Sequence, residues 1–160
     1  MTIQPGEKIP AATVYEMGPD GPGGVSTAEL FDGKTVVLFG LPGAFTPTCS
    51  AQHLPGYVDL AAQFKANGVD EIVCFSVNDA FVMGAWGKDQ NAAGNVRMIA
   101  DGSGLLTKQL GLELDLVEAG LGVRCTRFAM VVENGTVKSI DVEPAGEFEI
   151  SSAASQLSKL

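Results

Sequence analysis

Short apolar runs bounded by turn residues alternate along this chain with stretches whose apolar positions recur at helical spacing. Thr35 to Leu41 (TVVLFGL) is a continuous, β-branched run entered through Asp32-Gly33-Lys34, the pattern of a buried strand. Ile72 to Val77 and Val96 to Ala100 repeat it. Between Thr46 and Asn67, Leu54, Val58, Leu60, Ala61 and Phe64 share a helical face, Gly68 supplies a stop, and Pro55 predicts a bend one to two turns after Cys49. Asn78-Asp79 caps a helix over Ala80 to Lys88, and Leu105 to Leu110 is a short helix ending at Gly111. The order strand, helix, strand, helix predicts parallel pairing.

Three further stretches complete the pattern. Thr126 to Val132 and Thr136 to Val142 flank Asn134-Gly135, the strongest short hairpin signal. Residues 1–24 are rich in Gly and Pro and predict an irregular start, with one edge strand at Ala11 to Tyr15 and a surface loop MGPDGPGG. The stretch LELDLVEAGLG has no clear period and reads as loop, whereas Ser151 or Ser152 caps a last helix running to Leu160. No internal repeat or linker interrupts the series, so the expectation is one domain over residues 1–160 with an α/β architecture.

Composition narrows the function. A formal charge of −9 offers no basic face for nucleic acid or an anionic membrane. MTIQPGEKIP lacks the basic and apolar regions of a signal peptide, and no run of about 18 apolar residues occurs, so a cytoplasmic protein is expected. Cys49, Cys74 and Cys125 are an odd, widely spaced set that fits neither a secreted disulfide framework nor a zinc site. Redox or nucleophilic chemistry is the better use for them.

That chemistry concentrates in GLPGAFTPTCS, Gly40 to Ser50. Thr46 is a natural N-cap, Pro47 suits the first helical position, and Cys49 then lies in the first turn, where unpaired N–H groups and the helix dipole favour a thiolate. His53, the sole histidine, lies four residues on and invites a Cys–His dyad of the thiol-hydrolase kind, but no Asn or Asp is evidently paired with it, which argues against that use. No further ligands accompany the pair, so neither a metal nor a cofactor is expected.

PGAFTPTCS at Pro42 to Ser50 is followed in order by HLPG at His53 to Gly56, CFSVND at Cys74 to Asp79, WG at Trp86-Gly87, ADGSG at Ala100 to Gly104 and RFAMVVENG at Arg127 to Gly135. This set resembles a type II (Prx5-type) peroxiredoxin, nearest the plant and bacterial form, over essentially the whole chain. The resemblance implies a thioredoxin-like fold, a central mixed β-sheet flanked by helices. It also implies that Cys49 is the peroxidatic cysteine, oxidised by hydrogen peroxide or a small alkyl hydroperoxide to a sulfenic acid, with Thr46, Pro42 and Arg127 at the other active-site positions. Arg127 is permanently charged and can hold the thiolate and the departing oxygen. The hydroxyl of Thr46 can bond sulfur and peroxide, and rigid Pro42 can shield the sulfur from water. Arg124 is a second charge nearby in sequence.

In the animal-type members a resolving cysteine lies in the C-terminal loop, but Ala145 to Ser155 (AGEFEISSAAS) contains none. Cys74 is the remaining resolving candidate, with a buried core thiol as its simpler reading. The competing route is reduction of Cys49 by glutathione, glutaredoxin or thioredoxin. The resemblance further implies a homodimer built from loops near the site, with Phe45, Phe81 and Leu116 to Leu121 as apolar loop residues. A redox-regulated binding or chaperone-like protein on the same scaffold is the alternative.

Overall fold

The computed structural model describes residues 1–160. Its centre is a seven-stranded mixed sheet in which β3 (Thr35–Gly40), β4 (Glu71–Ser76) and β5 (Arg97–Ala100) run parallel. On one side β8 (Phe128–Glu133) and β9 (Thr136–Val142) join antiparallel; on the other β1 (Thr13–Gly18) and β2 (Gly21–Ser26) do so. The spatial order is β2-β1-β5-β4-β3-β8-β9. β3 and β4 are covered on both faces, which is why they read as unbroken apolar runs and not as alternations.

Two apolar layers flank the sheet. Val37, Phe39 and Cys74 face Tyr57 and Phe64 of α2 (Leu54–Ala66), Trp86 of α3 (Ala80–Asp89) and Ala153 of α5 (Ala153–Leu157). The alternate residues Val36, Leu38 and Val73 face Leu30 and Phe31 of α1 (Thr27–Phe31) and Leu106 and Leu110 of α4 (Leu105–Leu110). Ser26 caps α1, Asp79 caps α3 and Ser152 caps α5, each side-chain oxygen accepting from an N–H three residues on.

Four expectations need correction. Residues 13–18 are not at an edge: β1 pairs with both β2 and β5, and the edge is β2, GPGGVS, whose glycines carry no periodicity to read. LELDLVEAGLG is not loop throughout, because Glu113–Leu116 (β6) pairs with Gly122–Cys125 (β7) as a separate hairpin around a 3₁₀ turn. Its first strand does alternate, exposed Glu113 and Asp115 with half-buried Leu114 and Leu116, but over only four residues, the lower limit at which alternation signals a strand. The last helix ends at Leu157, short of Leu160. Pro55 does not kink α2 but sits in its first turn, after a π-helical turn over Cys49–His53. Leu54 N–H bonds back to the carbonyl of Cys49, five residues earlier, so the widened turn absorbs the bond that Pro55 cannot make.

Candidate active site

Strand register brings the site together. Gly40, the last residue of β3, pairs with Phe128, the first of β8, and also with Phe75 of β4. The chain therefore leaves the sheet toward Cys49 where Arg127 enters it, 78 residues later. Asn78 follows β4 at the same end, and its Oδ1 accepts the Ala44 N–H at 3.0 Å, holding the loop between β3 and the cysteine.

Cys49 is fully buried, and Arg127 Nη2 donates to its Sγ at 3.2 Å. The second nitrogen, Nη1, donates to His53 Nδ1 at 2.8 Å. On its far side His53 Nε2 lies 3.1 Å from the carbonyl of Ser151. An arginine can only donate and a carbonyl can only accept, so both ring nitrogens have forced roles: Nδ1 is unprotonated and Nε2 carries the hydrogen. Burial, followed by the charge of Arg127, pushes the imidazole down to about 3. A neutral ring with its free lone pair committed to Arg127 is no base for Cys49, and the Cys–His dyad is not formed. Arg127 lies between the two side chains and bonds both.

The other expected residues are placed as follows. Thr46 precedes the first helical residue, Pro47, but its hydroxyl does not cap the helix; it donates to the carbonyl of Gly43 at 2.7 Å. That bond draws the loop into a tight turn whose tip, Phe45, sits at φ 64. Pro42 is half-buried and its carbonyl accepts from Arg124 Nη1 at 3.1 Å, while Arg124 Nε donates to the carbonyl of Leu121 at 2.8 Å. Arg124 thus ties the β6–β7 hairpin to the Pro42 turn. Gly43 makes room for it, since a Cβ there would lie 2.7 Å from Arg124 Nη1.

All three cysteines are free and buried. Cys74 sits in the middle of β4, in register with Phe39 and Met98, in the same apolar layer as Cys49. Burial, with the proximity of Cys49 and then Cys125, pushes its thiol far up. Cys125 belongs to the opposite layer, and burial raises its thiol as well.

Several residues around the site are not marked by local sequence pattern. Phe39 stacks on Tyr57 with centroids 4.0 Å apart and lies 4.9 Å from the His53 ring. Phe148 covers the other side, 5.0 Å from His53 and 5.7 Å from the Arg127 guanidinium carbon. Trp86 Nε1 donates to Ser50 Oγ at 3.0 Å, tying α3 to the residue after Cys49. The WG pair signals Trp86; nothing in the spacing of Phe148 or Ser151 signals that they return to this site.

A buried sulfur held by a guanidinium, in a loop closed by proline, threonine and backbone bonds, suits displacement on a small polar molecule. A Redoxin family model matches residues 4–157. The chain is 53% identical over 136 residues to Peroxiredoxin-2D of Arabidopsis thaliana, covering 85% of this chain and 84% of that one. It is 44% identical to hybrid peroxiredoxin hyPrx5 of Haemophilus influenzae, covering 100% of this chain and 67% of the relative. The crystal structure of reduced Prx3 in complex with H2O2 from Vibrio vulnificus superposes with a TM-score of 0.95 at 49% identity, covering 99% of each chain. The mixed sheet with flanking helices is accordingly the thioredoxin-like Redoxin fold, and the chain belongs to the type II (Prx5-type) peroxiredoxins, which are thiol-dependent peroxidases.

Proposed function

We propose that Cys49 is the peroxidatic cysteine of this peroxidase. The observation that carries the reading is the 3.2 Å bond from Arg127 Nη2 to the buried sulfur. The thiolate attacks the nearer oxygen of the peroxide, an S–O bond forms as the O–O bond breaks, and sulfur loses the two electrons the peroxide gains. The departing oxygen takes a proton and leaves as water or an alcohol, its charge met by Arg127 on the way. Thr46 and Pro42 shape the pocket, and a rotation of the Thr46 hydroxyl away from Gly43 offers a donor to the incoming oxygen. The Vibrio relative's complex with H2O2 supports hydrogen peroxide as substrate, and small alkyl hydroperoxides fit the apolar rim of Phe45 and Phe148. Cys49→Ser is expected to abolish peroxide consumption; retained turnover would overturn the assignment.

The sulfenic acid is then reduced by an external thiol, glutathione or the dithiol of a glutaredoxin or thioredoxin. The thiolate of that donor attacks sulfur, a mixed disulfide forms, and water leaves. The placement of Cys74 supports this over an internal disulfide, since a fully buried thiol held protonated is a poor nucleophile. Mass spectrometry after one equivalent of peroxide, with and without glutathione, should show a glutathione adduct on Cys49. A Cys49–Cys74 disulfide forming in preference would reverse this choice.

The working unit is a homodimer. Phe45, Phe81, Val117, Leu121 and Val123 are all exposed, and Arg124 holds the hairpin bearing three of them beside the Pro42 turn. A second copy suits an apolar rim of this kind. Sedimentation should give a dimer that Val117→Asp with Phe81→Glu dissociates.

A further inference from the structure

The segment after β9 does more than connect it to α5. Glu143, 4% exposed, directs Oε2 at three donors of that segment: Glu149 N–H at 2.6 Å, Ser151 N–H at 2.9 Å and the Ser151 hydroxyl at 2.7 Å. Burial pushes its carboxyl up, but these bonds and the Ile150 N–H outweigh it and leave the group below its ordinary range. Ser151 is thereby fixed with its carbonyl turned toward the site, where it takes the His53 Nε2 hydrogen at 3.1 Å and the Tyr57 hydroxyl at 2.8 Å. The same segment carries Phe148 onto the Arg127 guanidinium.

The geometry points to Glu143 as a positioning residue for the peroxidase reaction: through Ser151 it sets the tautomer of His53, and through His53 the orientation in which Arg127 meets Cys49. The inference rests on the assignment of Cys49 and Arg127 above. Each link is a directional bond. With the Ser151 carbonyl in place, His53 must carry its hydrogen on Nε2, and Nδ1 is then an acceptor for Arg127 Nη1. One fork nitrogen anchored on His53 leaves the other aimed at sulfur. Were the hydrogen on Nδ1, it would face an arginine hydrogen, and the guanidinium would turn away. The Glu143 carboxylate bonds neither the sulfur nor the guanidinium. The backbone N–H of Glu143 donates to the Arg127 carbonyl at 2.9 Å, a main-chain bond that both side-chain substitutions keep, so the effect of the carboxylate is carried by the bonds through Ser151 and His53.

Because His53 is the sole histidine, nitrogen-15 NMR of the ring reads this chain directly. The native protein should show one fixed tautomer, hydrogen on Nε2. Glu143→Ala should convert it to a mixture and lower kcat/KM for hydrogen peroxide about 10- to 100-fold, the cost of a misplaced catalytic group. Glu143→Gln keeps an acceptor oxygen for the same three donors, and should restore the single tautomer and most of the rate. It also serves if the alanine variant does not fold. Addition of His53→Phe to Glu143→Ala should cost little more than His53→Phe alone, since both act on one link. A native tautomer in Glu143→Ala, a lost rate with the tautomer unchanged, or multiplying losses in the double variant would each overturn the proposal. The NMR readout does not require turnover, so it separates failure here from failure of the Cys49 assignment, which Cys49→Ser tests.

Discussion

Arg127 holds two partners at once, and the planar fork of a guanidinium is what allows it. Arg127→Lys keeps the charge but has one nitrogen to share between His53 and Cys49. Its kcat/KM for peroxide should fall about 100-fold, in the range seen when one donor to a developing anion is lost; a loss under threefold would show that charge alone suffices. His53 gives a second test, through stability. In the fold it titrates at about 3, against about 6.5 when unfolded. Between those values the unfolded chain binds a proton that the folded chain refuses. Its contribution is therefore complete above about pH 6.5 and declines by about 1.4 kcal/mol per unit as pH falls toward 3. Urea unfolding at pH 7 and pH 5 should show a steeper decline in the native protein than in His53→Asn, and equal slopes would remove His53 from the account. At this scale the nearness of Arg127 to Cys49 was foreshadowed by the sequence, because the residue types and order of Pro42, Thr46, Cys49 and Arg127 form a motif. The role of His53 was not: its partners lie 74 and 98 positions away, and from the sequence its nearness to Cys49 points to a base that the fold does not build.

Among the elements, the first turn after the loop is the least regular and the most constrained. Its widened π geometry over Cys49–His53 is followed at once by Pro55, and Trp86 of α3 pins Ser50 from the side. Trp86→Phe removes that bond and part of a fully buried indole. It should cost about 1 to 3 kcal/mol in urea unfolding and increase the reactivity of Cys49 toward iodoacetamide, because the turn opens more often. Unchanged alkylation would mean that Ser50 is held by the rest of the turn. Strands whose residues are covered on both faces, such as β3 and β4, were readable from runs of Val, Ile and Phe. The π turn was not, since it follows from how Pro55 meets α2 and not from any residue's preference. The β6–β7 hairpin escaped because each strand is only four residues long: the alternation of Glu113 and Asp115 with Leu114 and Leu116 is too brief to stand out, and Val123 is exposed.

For the molecule as a whole, topology and charge act on different halves of the cycle. The Gly40 pairings with Phe75 and Phe128 place the β3 loop, Asn78 and Arg127 at one end of the sheet, the end where open α/β sheets hold their ligands. Parallel pairing of β3 to β5 was legible from the strand–helix alternation, but the crossing that seats β8 beside β3 is long-range and came with the family pattern. The net charge of −9 gives the molecule a negative field that hydrogen peroxide, being neutral, does not feel. Glutathione is an anion and must approach against it. Screening shortens from about 30 Å at 0.01 M salt to about 8 Å at 0.15 M. The rate of Cys49 oxidation should therefore stay constant across that range, while reduction of the sulfenic acid by glutathione accelerates severalfold. Stopped-flow measurement of the two half-reactions separates them. A reduction step that slows with salt would mean that the local positive charge of Arg124 and Arg127, and not the molecular field, guides the thiol to Cys49.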